Sequence, residues 1–242
     1  MKTSLKFFSA ISLATLLFTA CSKEGTWGIK GEGDAVTQTR DLGKFNEIES
    51  SIDAEILYTQ DSTTSIEISA QQNILSVLDI TVSGNVLKIG FKRNVWTYSK
   101  VRLVIHTPEL KHIDMSGSGD FLVQNKLTGS EFQIDISGSG NVSIPTVTLT
   151  NLDTRISGSG TVKITTGTVT TQKVAMSGSG FYSTENVMAQ NADLNISGSG
   201  EIIVTAQNRL WVSLSGSGKV KYHGKPLINT EISGSGKLIA LD

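Results

Sequence analysis

Serine hydroxyls are the reactive groups that recur most regularly along this sequence. Seven copies of Ser-Gly-Ser-Gly begin at Ser116, Ser137, Ser157, Ser177, Ser197, Ser215 and Ser233. A serine nucleophile needs a Gly-x-Ser-x-Gly turn between a strand and a helix, with a histidine base beside it. The glycines here are one residue too close, and His106, His112 and His223 cannot serve every serine. The motif therefore predicts a structural role, and we expect no enzyme.

Polar residues at fixed offsets from the motif form a candidate binding strip. The strip comprises Asp114, Ser116, Ser118, Asp120, Asp135, Ser137, Ser139, Asn141 and Arg155. Strand spacing would place Asp114 and Asp135 about 5 Å apart, so a cation, a proton or Arg155 must offset their repulsion. The strip predicts either a solvated face or a surface that binds a sugar chain or one cation. A polysaccharide-active enzyme would need such paired carboxylates in a cleft, whereas regular columns predict a flat wall.

Other candidate sites are sparse. Calcium-binding β-helices repeat Gly-x-Asp turns, but only the first motif is followed by aspartate, Asp120. No calcium array is expected, while a single weak site at the first repeats stays open; no other metal site and no cofactor are predicted. Four aromatic residues could stack on sugars or, alternatively, serve packing: Trp96, Tyr98, Phe181 and Trp211.

Composition excludes further classes of protein. The net charge of -1 provides no basic face for nucleic acid. The single cysteine cannot form an internal disulfide. Hydrophobic residues make up 38% of the 242 residues, which is enough for a folded core.

The repeat itself predicts an all-β solenoid. The seven motifs follow one another at intervals of 21, 20, 20, 20, 18 and 18 residues, each flanked by alternating apolar positions. Such a period predicts coils of about 20 residues that stack in parallel, with the glycines facing inward and the serines outward. An antiparallel meander of hairpins is the alternative, because Ser-Gly turns can also close hairpins.

A further region directly precedes the repeats, which span residues 116–242. Residues 41–115 contain alternating strand patterns, a short helix predicted over Gln71–Leu78, and a hairpin signal at Ser83-Gly84-Asn85. We expect this region to form an irregular β cap on the solenoid, because an open solenoid end invites edge pairing. The alternative is that it forms the first irregular coils of one continuous domain over residues 41–242.

The first twenty residues are typical of a bacterial lipoprotein signal. Lys2 and Lys6 precede an apolar stretch that ends at Ala20, immediately before Cys21. Cys21 is the predicted lipidation site, with an ordinary cleaved signal as the alternative. Residues 21–40 are polar and glycine-rich, which predicts a flexible tether.

Two runs of residues resemble a known family. The run Arg40-Asp41-Leu42-Gly43-Lys44-Phe45-Asn46-Glu47-Ile48 and the run from Pro108 to Asp120, followed by the repeats, resemble the head GIN domain family of adhesin-like lipoproteins from Bacteroidetes. The resemblance implies a right-handed parallel β-helix and an adhesive role at the cell surface. It brings no established catalytic or binding residues.

Together these observations predict a cell-envelope lipoprotein with a non-catalytic head that binds glycans or protein partners. A lipid anchor would hold it to a membrane, predicted to be the outer membrane, on its periplasmic or exposed face. A purely structural envelope protein is the first alternative and a polysaccharide-active β-helix enzyme the second.

Overall fold

A computed structural model describes residues 28–241 of the chain. Cys21 and the predicted signal lie outside the described residues. The described part is almost entirely β-strand and forms a solenoid of about six turns, which confirms the predicted fold class. No helix among these residues has the length and hydrophobicity to cross a bilayer.

The N-terminal half contains short strands and one helix. They are β1 (Ile29–Lys30), β2 (Ala35–Arg40), β3 (Glu47–Ser50), β4 (Ala54–Gln60), β5 (Ser65–Gln71), α1 (Gln72–Val77), β6 (Leu78–Ser83), β7 (Val86–Phe91), β8 (Val95–Thr97) and β9 (Val101–Thr107). The predicted helix is thus confirmed. The predicted hairpin is confirmed as well, since β6 and β7 pair antiparallel around Gly84, whose φ is 65°.

The repeats form longer strands that bend from one face of the solenoid to the next. They are β10 (His112–Met115), β11 (Asp120–Val123), β12 (Lys126–Ile136), β13 (Asn141–Gly158), β14 (Thr161–Gly178), β15 (Phe181–Gly198), β16 (Glu201–Gly216), β17 (Lys219–His223), β18 (Leu227–Gly234) and β19 (Lys237–Ala240).

Equivalent positions of successive repeats pair in parallel. Ile136 is in register with Ile156, and Ile156 with Met176, one coil apart at each step. The alternating apolar positions face inward and are nearly inaccessible to solvent, so each inward column continues through the stack as core. Because successive repeats pair in parallel, the alternative of an antiparallel meander is wrong for the repeats. Each coil buries its apolar positions by stacking on the next coil.

Ser-Gly-Ser-Gly forms a bend in which the serines are exposed, as predicted. The second glycine is buried in the first six copies, as predicted, but the first glycine is half-buried or exposed and stacks on the backbone of the preceding coil. In the five later copies the first glycine has a positive φ, between 106° and 138°. A Cβ on Gly198 would lie 2.5 Å from the carbonyl oxygen of Gly178 in the preceding coil. Glycine is required here both for the backbone conformation and for the close stacking of the coils.

The N-terminal region extends the stack in the opposite direction and then closes it. Strands β3 and β4 pair in parallel with β10 and β11, and on their other side with β7 and β9. Antiparallel pairing of β6, β5 and β2 follows. Helix α1 adds three buried side chains: Ile74, Leu75 and Val77.

The predicted tether over residues 21–40 is wrong for its second half. β1 pairs with β8, and β2 pairs with β5 along six residue pairs. Strand β2 lies at the edge of the sheet, so its alternating side chains remain mostly exposed and need not be apolar. Its polar composition therefore resembles a tether although all six of its residues pair with β5.

The last coil is open. Ile232 lies in the same inward column as Ile196, but 45% of its surface is exposed, whereas Ile196 is fully buried. Ile228 is also 45% exposed, and Leu227 is 81% exposed. Among residues 28–241 no further segment covers β18, so the solenoid has one capped end and one open end.

Candidate functional site

The predicted polar strip lies on two outward columns separated by the Ser-Gly-Ser-Gly bend. Asp114 is in register with Asp135, and Asp135 with Arg155, on the strands that precede the bend. Asp120 and Asn141 are in register on the strands that follow it. The exposed serines of the bend lie between the two columns along the chain, so the strip turns a corner and is not one flat face.

An ion-pair network connects the first column to side chains two residues upstream. The Nε2 atom of His112 lies 2.8 Å from Oδ2 of Asp135, and its Nδ1 atom lies 3.7 Å from Oε2 of Glu47. Arg155 approaches Oδ1 of Asp135 at 3.5 Å and Oδ2 of Asp153 at 3.4 Å. The network spans four successive coils and is half-buried at its centre, where the Asp135 side chain is 21% exposed.

Side chains of the network offset the negative charge of Asp135, one of the two paired carboxylates. Asp135 accepts a further hydrogen bond from Nε2 of Gln133 at 2.5 Å, so both of its oxygens are engaged. Asp114 forms no salt bridge with any residue the structure describes. Burial, followed by the charge of Asp135, raises the pKa of Asp114, while nearby His112 opposes this rise.

A groove of about 560 Å³ opens beside the network. Its lining includes the ionisable residues Glu47, Lys111, His112, Glu131, Asp153 and Lys173, the polar residues Gln133, Asn151 and Thr171, and the buried residues Phe132 and Leu152. Three carboxylates face two lysines and one histidine, so the charges nearly balance. Such a lining offers closely spaced donors and acceptors, which suits a ligand rich in hydroxyl groups rather than a highly charged polymer.

The second column has its own ion pair and hydrogen bond, separate from the network of the first column. Lys100 forms a close ion pair with Asp120, and Nδ2 of Asn141 donates to Oδ1 of Asp120 at 2.9 Å. The Lys100 ammonium, followed by the Asn141 hydrogen bond, holds the pKa of Asp120 below its ordinary value. These partners occupy the carboxylate that a cation would need. No cluster of three or more acidic, histidine or cysteine side chains within 28–241 could hold a metal ion.

The four candidate aromatic residues do not converge on one site. Tyr98 packs edge-on against Phe91, with ring centroids 5.2 Å apart, and its hydroxyl contacts the backbone of Asp53. Phe181 and Trp211 are half-buried in different columns, where they are in register with Thr161 and Asp193 respectively. Trp96 is 64% exposed and lies on β8, away from the repeats.

Sequence analysis missed the residues that form the groove. Glu47, His112, Gln133, Asp153 and Lys173 occupy one outward column, two residues before the column of Asp114. Within the repeats this column recurs at a fixed position, four residues before each motif. The same alignment of repeats would have found these residues had it been extended by one outward position.

Comparison with known proteins gives a consistent result for most of the described region. The family described as "Putative auto-transporter adhesin, head GIN domain" matches residues 44–226. No curated protein matches the chain significantly.

Three crystal structures illustrate the similarity. A putative adhesin from Bacteroides fragilis NCTC 9343 is 27% identical with a TM-score of 0.84, over 88% of this chain and 100% of that chain. A protein from Parabacteroides distasonis ATCC 8503, named "putative lipid binding protein", is 26% identical with a TM-score of 0.75, over 88% and 99%. A putative adhesin from Parabacteroides merdae ATCC 43184 shares the fold at 21% identity, with a TM-score of 0.74 over 89% and 99%.

Proposed function

Because the chain belongs to the head GIN domain family, we propose that it is a lipid-anchored, non-catalytic envelope protein whose solenoid binds glycans. The proposed anchor is Cys21, and the proposed binding site is the groove beside His112. The observation that carries the proposal is this groove, where charged and amide side chains from several coils line one concavity.

The carboxylate pair beside the groove, Asp114 and Asp135, does not provide the arrangement that a glycosidase needs. A glycosidase needs a free carboxylate opposite a proton donor. Asp135, the neighbour of Asp114, is engaged by His112, Gln133 and Arg155. A sugar could instead exchange hydrogen bonds with Asn151, Asp153 and Lys173, whose positions on paired strands are fixed before binding.

A glycan array probed with the Cys21→Ser full-length chain tests this function. We expect binding to a restricted set of neutral glycans, weakened about tenfold by Lys173→Ala or Asn151→Ala, since each change removes a ligand hydrogen bond. Lys163→Ala is the matched control, because Lys163 is an exposed lysine outside the groove. Loss of binding in the control, or no glycan bound at all, would contradict the proposal and favour the structural or protein-binding alternative.

The name of the Parabacteroides distasonis relative raises lipid binding as a second candidate. The interior columns of this solenoid are filled by side chains such as Phe132, Leu152 and Leu210, none more than 2% exposed. An acyl chain would therefore have to bind at the surface. Binding of a fluorescent fatty acid to the Cys21→Ser chain in the absence of vesicles would support this candidate, and we expect none.

A further inference from the structure

The chain enters the described fold through a small, well-fixed ribbon formed by β1 and β8. The amide of Ile29 donates to the carbonyl oxygen of Asn94 at 2.9 Å, and that of Gly31 to Thr97 at 2.7 Å. Nδ2 of Asn73, on α1, donates to the carbonyl oxygen of Lys30 at 2.7 Å. The ribbon is therefore tied to the cap.

The ribbon occupies the place that Ser-Gly-Ser-Gly takes in other coils. Residues 92–100 connect β7 to β9, just as the motif connects β10 to β11. On its inner side, Ile29, Val95 and Tyr98 pack against the core. The ribbon therefore has a fixed outward side.

Its outward side combines an aromatic side chain with basic ones. Trp96 is 64% exposed, and Lys30, Lys92 and Arg93 are also exposed. These three basic side chains form no salt bridge with any described residue, and the segment 92–100 contains no acidic residue. Indole rings favour the headgroup level of a bilayer, and basic side chains favour anionic headgroups.

The predicted anchor is close to this surface. Seven residue steps separate Cys21 from Gly28, and an extended chain spans at most ~3.6 Å per residue. Gly28 therefore lies within about 25 Å of the lipid-bearing residue, less than the thickness of a bilayer. Gly28 lies beside the backbone of Val95 and Trp96, so a lipid at Cys21 would hold Trp96, Lys92 and Arg93 within reach of the membrane surface.

We propose that the β1–β8 ribbon is a membrane-contact surface, with Trp96 at the headgroup level and Lys92 and Arg93 against anionic lipids. The inference rests on the proposed lipid anchor at Cys21. It adds that the capped end of the solenoid is held against the bilayer while the groove-bearing coils extend beyond it.

Tryptophan fluorescence tests the proposal in the lipidated full-length chain. Trp27→Phe/Trp211→Phe leaves Trp96 as the only tryptophan, and Trp27→Phe/Trp96→Phe leaves Trp211, seven strand steps away at ~4.8 Å each. Both chains are reconstituted in vesicles of phosphatidylethanolamine and phosphatidylglycerol, with and without brominated acyl chains. We expect bromine to remove roughly half of the Trp96 emission and to leave Trp211 emission unchanged.

The outcomes separate the ribbon from the anchor. If the chain stays with vesicles but Trp96 is not quenched, or Trp211 is quenched equally, the membrane-contact surface is wrong and the anchor stands. If the wild-type chain leaves the vesicles as readily as Cys21→Ser, the anchor is wrong.

Charge substitutions provide a second measurement. In the Cys21→Ser full-length chain, Lys92→Gln/Arg93→Gln is expected to lower co-sedimentation with the same vesicles about 25-fold, since each basic residue is worth about fivefold. Lys126→Gln/Lys163→Gln removes equal charge from the repeats and is expected to change it less than about twofold. Equal losses in the two pairs, or none in either, would overturn the proposal.

Discussion

The imidazole of His112 lies 2.8 Å from the carboxylate of Asp135 in the following coil. The two residues are 23 positions apart in sequence, but parallel stacking places their strands side by side. Because the same ring also approaches Glu47 in the preceding coil, one side chain connects three coils beside the groove.

We expect a measurable coupling between these two residues. A double-mutant cycle of His112→Gln and Asp135→Asn is predicted to give about 0.5–1 kcal/mol in the free energy of unfolding at neutral pH, as for a partly exposed pair. Arg102 and Glu55 form a more exposed pair at 3.2 Å, and their cycle should give less. Strict additivity of the His112 and Asp135 substitutions would contradict the network.

Asp114 and Asp120 are expected to affect stability with opposite signs. Burial and the Asp135 charge raise the pKa of Asp114, so its ionisation destabilises the fold as the pH rises above about 3.9. Lys100 and Asn141 lower the pKa of Asp120, so its contribution is present above about pH 3.9 and is lost as the pH falls through the lowered value.

At pH 7, Asp114→Asn should therefore raise the free energy of unfolding and Asp120→Asn should lower it. Both effects should be below about 1 kcal/mol, because solvent screens these partly exposed groups. Urea denaturation from acidic to neutral pH would measure them, and both differences should shrink at acidic pH. Destabilisation by Asp114→Asn at pH 7 would show that Asp114 has a stabilising partner.

Glycine at the bend is required for stacking. Gly198→Ala places a Cβ 2.5 Å from the carbonyl oxygen of Gly178, at a φ of 138°, so we expect a loss of about 3–5 kcal/mol in the free energy of unfolding. Gly129→Ala is the control, since its nearest atom is 3.7 Å away. Equal effects of the two substitutions in chemical denaturation would refute this role for the motif.

Ser50 is a core position occupied by a polar side chain. Its hydroxyl is buried without a hydrogen-bond partner, on a residue in register with Met115 and Ile89. Ser50→Ala removes this penalty and should raise the free energy of unfolding by about 1 kcal/mol. Ser139→Ala, at an exposed bend position, should change it by less than about 0.5 kcal/mol. A destabilised Ser50→Ala chain would indicate that the hydroxyl has a partner such as a buried water.

The repeat was sufficient to predict the fold of the C-terminal half and the register of the strip, because equivalent positions pair directly. Asp114, Asp135 and Arg155 share a column as the alignment of motifs predicted. The family resemblance of the flanking runs is likewise confirmed by the match over residues 44–226.

The strand pairing across the cap and the side-chain contacts around Asp135 were beyond the same reasoning. The pairing of Glu47 with His112 joins residues from either side of the cap, and no local pattern encodes it. The partners of Asp135 depend on how far side chains reach across coils, which a periodicity of apolar residues does not describe. Strand β2 was mistaken for a tether because an edge strand needs few apolar residues.

The order of the N-terminal strands has a consequence for the timing of folding. The coil formed by β3 and β4 is flanked on one side by β7 and β9 and on the other by β10 and β11, all of which are synthesised later. If assembly starts from this coil, strands can add to both of its sides. Addition on the cap side ends once the cap strands have been synthesised. Every later repeat then adds to an edge that is already complete, so the described coils can assemble in the order in which they are synthesised.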